Sequence, residues 1–258
     1  MRVLMVGDII GRPGRAAFAK YTAMLRREKK IDIVVANGEN SSGGKGISRK
    51  SMDEMLRGGA DIVTSGNHVF DNKEVLDFID SEPYLLRPAN YPDGVPGKGW
   101  CVYPWRAKNI GVISMSGRAF MPPLDCPFQR VEDALRELRD ECDLIFLDFH
   151  AEATSEKAAM GWYLDGRVNA VVGTHTHVQT ADERLLPKGT AYITDLGMTG
   201  PSDSVIGDRV DRVLPKFITG MPQRFEVAKG PNIYSAVIIE LDEKTNKTIG
   251  IERVLIRE

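Results

Sequence analysis

Short apolar runs recur along the chain, each closed by a polar or glycine-rich stretch and followed by a segment with helical spacing. The run at 3–6 ends in Gly7-Asp8, passes Gly11, Pro13 and Gly14, and leads to a helix expected over 15–28. The run at 31–36 ends in Asn37-Gly38-Glu39-Asn40 and the loop Gly43-Gly44-Lys45-Gly46. Ser48 is placed to cap a helix reaching about Leu56, with Ser51 as the competing start. A third run, 61–64, closes with Ser65-Gly66-Asn67-His68. Strand, loop and helix repeated in this way predict a parallel sheet with crossover helices.

From 82 to 105 the pattern breaks around Pro83, Pro88, Pro92, Pro96 and Pro104. Tyr84, Leu85, Leu86, Trp100 and Trp105 are apolar enough to pack, so this stretch reads as a surface crossing between two halves of one domain, 1–258, and not as a linker. The alternation then resumes: a strand over 110–115, a helix over 131–141, a strand over 143–149 ending at His150, and a helix over 155–164. A strand over 168–172 runs into Gly173-Thr174-His175-Thr176-His177, and another covers 190–196. Residues 197–232 are rich in glycine and proline around a short basic, apolar segment at 209–218. They read equally as an active-site lid, a subunit contact or a plain surface excursion. Segments 233–241 and 248–256, joined by a polar turn, form a closing β-hairpin.

Composition narrows the class without naming a function. A chain of 258 residues with 42% hydrophobic and 27% charged content is ordinary for a globular protein, and a net charge of -2 disfavours long nucleic acid as a partner. Cys101, Cys126 and Cys142 form no Cys-x-x-Cys pair and read as reduced thiols. No apolar run approaches membrane-spanning length, and the N-terminus has no signal-type core, so a cytoplasmic location without a membrane partner is expected.

The candidate chemistry lies at the strand ends. Asp8, Glu39, Asn40, Asn67, His68, His150, His175 and His177 include all four histidines of the chain, and each stands just past a predicted strand, where an open α/β sheet gathers its ligand. His-x-His at a strand exit turns both rings to one side. Carboxylates, amide oxygens and imidazoles without thiolates suit manganese, iron or zinc, and the set exceeds what one ion requires. A pair of ions ~3.5–4 Å apart, bridged by a carboxylate, is the economical reading. Three other motifs fail: the loop ending in Gly44-Lys45 has Glu39 where a phosphate-cradling loop needs its first glycine, Gly7 to Gly11 has the wrong spacing for a dinucleotide turn, and no Gly-x-Ser-x-Gly elbow occurs.

Gly7-Asp8, Gly66-Asn67-His68, His150 and Gly173-Thr174-His175-Thr176-His177 resemble the ordered motif set of the calcineurin-like metallophosphoesterases. Gly38-Glu39-Asn40 stands where the usual pattern has Gly-Asp, and Asp8-Ile9-Ile10 replaces Asp-x-His; this variant set is similar to the bacterial branch of 2′,3′-cyclic-nucleotide phosphodiesterases. The resemblance implies two packed β-sheets flanked by helices, a four-layer α/β/β/α sandwich, with the closing hairpin completing the second sheet. It implies a dinuclear centre of divalent or mixed-valence ions, bridged by Glu39, with Asp8, Asn40 and His177 on one ion and Asn67, His150 and His175 on the other. Asn40 in place of an imidazole favours iron or manganese over zinc. The implied reaction is hydrolysis of a small cyclic nucleotide by a metal-bound hydroxide, with His68 as proton donor beside Asn67. Asp148 stands two residues before His150, either to orient an imidazole or to pair in the core. Arg12 and Lys45 are placed to meet a phosphate or simply to be solvated. The rival readings are a non-catalytic protein that senses a metal or nucleotide, and a phosphoesterase of other range; a homo-oligomer through 197–232 fits any of them.

Overall fold

The structure, a computed structural model, describes all residues from Met1 to Glu258. Its first half contains β1 (Arg2–Val6), β2 (Asp8–Ile9), α1 (Gly11–Glu28), β3 (Ile33–Asn37), α2 (Arg49–Arg57) and β4 (Ile62–Thr64). There follow β5 (Trp100–Trp105), β6 (Lys108–Ser116), α3 (Pro127–Glu141), β7 (Leu144–His150), α4 (Thr154–Leu164) and β8 (Ala170–Thr174). The chain closes with β9 (Arg184–Leu185), β10 (Ala191–Ile193), β11 (Met198–Pro201), α5 (Val210–Thr219), β12 (Asn232–Leu241) and β13 (Thr248–Arg257).

Two sheets form, in the orders β2-β11-β12-β1-β3-β4, with β13 on β12, and β5-β6-β7-β8-β10-β9. The apolar runs are continuous because both faces of these strands are buried. In β1, Val3 and Met5 join Ile33 and Val35 against Val112, Phe146 and Val172 of the other sheet, while Leu4 and Val6 turn outward to Phe18 and Leu25 of α1. The second sheet repeats this, with Leu147 and Phe149 packed on Leu135 of α3 and Met160 of α4. Period-two alternation thus builds the expected α/β/β/α layers.

Four details differ from the sequence reading. The hairpin β12–β13 completes the first sheet and not the second, since β12 runs antiparallel to β1 from Arg2↔Glu240 to Val6↔Ala236. An alternating hairpin records that one face is buried without saying which open edge it joins. The stretch 82–105 is not a surface crossing throughout: Leu85, Leu86 and Ala89 are buried, and β5 pairs with β6. Pro104 is tolerated there because β5 is an edge strand. Residues 197–232 begin with a buried strand, β11, that joins β2 to β12. Finally, α1 starts at Gly11 and α3 at Pro127, because a proline in the first helical turn removes an N–H that has no partner within the helix. Ser48 caps α2 as expected, and Ser51 returns the bond from within the same capping box.

Candidate metal centre

All the parallel strands deliver their C-terminal ends to one edge of the sandwich, and the candidate residues meet there. Glu39 lies at the middle. Its Oε1 is 3.1 Å from His150 Nε2 and accepts from Asn40 Nδ2 at 3.1 Å; its Oε2 accepts from the His68 N–H at 3.1 Å. His150 Nε2 also lies 3.0 Å from Asn67 Oδ1 and 3.0 Å from His175 Nδ1. One ligand atom each from Glu39, His150 and His175 falls within a 4.8 Å group. A Cβ on Gly66 would stand 2.2 Å from the His150 ring and 2.4 Å from Glu39 Oε2, so this glycine is what lets Asn67 approach.

Asp8 and His177 form the other side. His177 Nε2 lies 3.2 Å from the Asn40 amide and 3.8 Å from Asp8 Oδ1. Asn40 turns its nitrogen toward Glu39 and His177; its oxygen would meet a cation only after rotation of the amide plane. The His-x-His turn is strained, with φ of 104° at His175 and 65° at His177. Buried carboxylates hold it: Asp8 Oδ2 accepts from His175 N at 3.1 Å, and Asp195 Oδ2 accepts from Thr176 N at 3.1 Å. Asp195 is itself paired with buried Lys157 at 2.6 Å.

Each ring is also held from behind. Thr174 Oγ1 donates to Asp148 Oδ1 at 2.7 Å and accepts from His150 Nδ1 at 2.9 Å. Asp148 therefore reaches the imidazole through a hydroxyl, anchored further by Thr64 and Asn37. His177 Nδ1 donates to the Ile206 carbonyl at 2.7 Å, and His175 Nε2 meets Glu152 at 3.1 Å. His68 donates through Nδ1 to Asp71 at 2.8 Å, which leaves Nε2 as the nitrogen free to carry a proton.

Over residues 4–254 the chain matches the family described as YmdB-like protein. The chain belongs to the YmdB-like family. It is 50% identical to the 2′,3′-cyclic-nucleotide 2′-phosphodiesterase of Bacillus subtilis (strain 168), over 100% of this chain and 98% of that protein. Among solved structures, a hypothetical protein from Thermus thermophilus superposes with a TM-score of 0.95 at 42% identity, covering all of both chains. A phosphatase from Mycoplasma pneumoniae superposes with a TM-score of 0.94 at 34% identity, over 100% of this chain and 93% of that one.

The donor set of this YmdB-like protein fits a metal. Asp8 Oδ1 is buried without a hydrogen-bond partner, a costly condition that a cation would relieve. Burial pushes the Asp8 carboxyl up to about 6, against the pull of His177 and His150. Burial and the neighbouring His150 push His175 down to about 3. Burial alone would raise Glu39 and lower His150, but their mutual attraction outweighs it, bringing Glu39 to about 2 and His150 to about 9. Without metal, the His150 proton sits where a cation would be ligated. His150 must lose that proton, so affinity for a divalent cation should rise with pH up to about 9, and more steeply below about 6, where Asp8 must also ionise. Calorimetric titration of manganese in buffers of different ionisation enthalpy counts the released protons; no release at pH 7 would contradict the scheme.

Thr174, Glu152, Asp195 and Lys157 carry no role in the sequence reading. Only Thr174 had a signal, standing between Gly173 and His175 in the motif that carries both histidines; Glu152, Asp195 and Lys157 reach the rings and the turn through the fold. Thr174→Val should break the contact between Asp148 and His150 while keeping the fold, weakening metal affinity by about 10–100-fold. A metal titration of the purified variant checks this.

Proposed function

We propose that the chain hydrolyses phosphodiesters of the 2′,3′-cyclic-nucleotide class, using two transition-metal ions, iron or manganese. The observation that carries the reading is the convergence of Glu39, His150 and His175 at the strand ends, in a chain half identical, from end to end, to a cyclic-nucleotide phosphodiesterase. Asp8, Asn40 and His177 would hold one ion, Asn67, His150 and His175 the other, and Glu39 both. Such ions supply an acidified water and positive charge for the phosphoryl oxygens. The chain's own groups do the rest: Thr174, Ile206 and Glu152 set the ring orientations, Glu39 gathers both halves of the site, and His68, aligned by Asp71, delivers a proton to the departing ribose oxygen.

The test is a panel of 2′,3′-cyclic nucleotides, linear diesters and monoesters offered to manganese- or iron-loaded protein. Turnover of the cyclic diesters that is lost with chelator is the expected result; turnover confined to monoesters would overturn the reading. Chain 1–258 acts as one domain in this account, because one apolar core is built from both sheets. Three free cysteines suit the cytoplasm, and no helix is long and apolar enough to cross a membrane.

A second copy of the chain is the proposed occupant of α5. Val210, Leu214, Phe217, Ile218 and the neighbouring Ile206 and Met221 are exposed, Phe217 and Ile218 each by 78%. Large apolar side chains exposed together along one short segment are a usual mark of a protein–protein contact. Phe217→Asp should then shift a dimer toward monomer in light scattering, and a wild-type monomer would remove this reading.

A further inference from the structure

We infer that a basic groove beside the metal-ligand loops takes a second phosphate of the substrate, so that the substrate is the 2′,3′-cyclic-phosphate end of a short oligoribonucleotide. This rests on the phosphodiesterase reading of the centre and adds the substrate's extent. The groove, about 770 Å³, is lined by Arg12, Gly43, Arg224, Phe225, Val227 and Lys229, among others. Its floor is made by the first turn of α1, which follows Asp8, and by the loop after β3, which carries Glu39 and Asn40. Arg12 follows Asp8 by four residues, Gly43 follows Asn40 by three, and the Gly11 N–H donates to the Asn40 carbonyl at 2.9 Å. Val227 closes over the start of α1 and the loop after β3, so near that a Cβ on Gly44 would stand 2.9 Å from its methyl. The wall continues to the centre: Val227 bridges to Asp208, and Ile206 two residues earlier accepts from the His177 ring.

The charges decide what this groove holds. Of the cations that line it, Arg12, Arg224 and Lys229 make no ion pair, and their side chains have no hydrogen-bond acceptor, while most other arginines of the chain are paired. Glu226, the acid of the lining, is already engaged by Arg209 at 2.9 Å and Arg212 at 3.7 Å. Unpaired cations gathered along one groove of a chain with net charge -2 are a local feature and not a general excess. Arginine and lysine meet phosphate oxygens with charge-assisted hydrogen bonds. A cyclic mononucleotide has one phosphate, which the metal ligands claim; only a longer or further phosphorylated substrate has another to offer these cations.

Two measurements test this. The first compares kcat/KM for a cyclic mononucleotide, its 5′-phosphorylated form and a dinucleotide ending in the same cyclic phosphate. The dinucleotide should be favoured by about tenfold or more at low salt. Arg224→Ala combined with Lys229→Ala should erase that preference through KM while leaving the cyclic mononucleotide within about twofold. An equal gain for the 5′-phosphorylated form would assign the contact to a terminal phosphate; a gain for the dinucleotide alone assigns it to the internal linkage. The second is anisotropy of a labelled RNA pentamer with a 3′-phosphate on metal-free protein, where nothing is hydrolysed. The double variant should bind at least about tenfold more weakly, with the salt slope reduced by about 0.7 for each lost contact. Equal binding by wild type and variant, or no preference for either extended substrate, overturns the inference. Intact pentamer binding with no turnover of any diester would instead sink the phosphodiesterase reading and leave the groove standing.

Discussion

Glu39→Gln should leave the fold intact, strip the protein of both metals and lower turnover by about 10³-fold or more, equivalent to roughly 4 kcal/mol of barrier. The residue is completely buried and touches groups from three different strand ends, Asn40, the His68 backbone and His150. An amide of the same shape keeps the packing but removes the one charge that both halves of the site share. Metal analysis of the purified variant, with circular dichroism to confirm folding, reads the result directly. Undiminished metal in a folded variant would end the bridging role. A second signature is independent of activity. The His150 ring owes its high pKa to overcoming burial through Glu39, so in metal-free Glu39→Gln its titration should move down from about 9. An unmoved His150 resonance would mean that the two do not interact as the 3.1 Å contact requires.

His68→Ala should keep its metals and lose about 10²–10⁴-fold in turnover of a diester with an alkoxide leaving group, the usual range for a positioned acid. With p-nitrophenolate, which departs without a proton, the loss should shrink to a few-fold. The structure supports this separation: the imidazole is tied to Asp71 and not to the metal-ligand cluster, and only the residue's backbone N–H touches Glu39. Alanine retains that backbone contact. Asp71→Asn should give a smaller loss with the same dependence on leaving group, because it misaligns the ring without removing it. Equal losses on both kinds of substrate would assign His68 another task.

Much of this protein is local in the chain and therefore legible in its sequence. A strand buried on both faces must be apolar along its length, and where it leaves the sheet its backbone must turn, so the residues that can carry chemistry stand immediately after each run. Asp8, Glu39, Asn67, His150 and His175 announce themselves in that way, and the alternation of runs with helices announces the parallel part of each sheet, though not the antiparallel strands that make both sheets mixed. What the tertiary structure decided depends on partners far apart in sequence. The hairpin, expected on the second sheet, joins the first, because alternation records that a face is buried and not by what. The strand at 100–105 was hidden by prolines that an edge position tolerates. Asp148 reaches His150 only through Thr174 on the adjacent strand, and Ile206 orients His177 across 29 residues. Those bonds join residues through space, and no local pattern of polar and apolar positions encodes which nitrogen of a ring will be held and which left free.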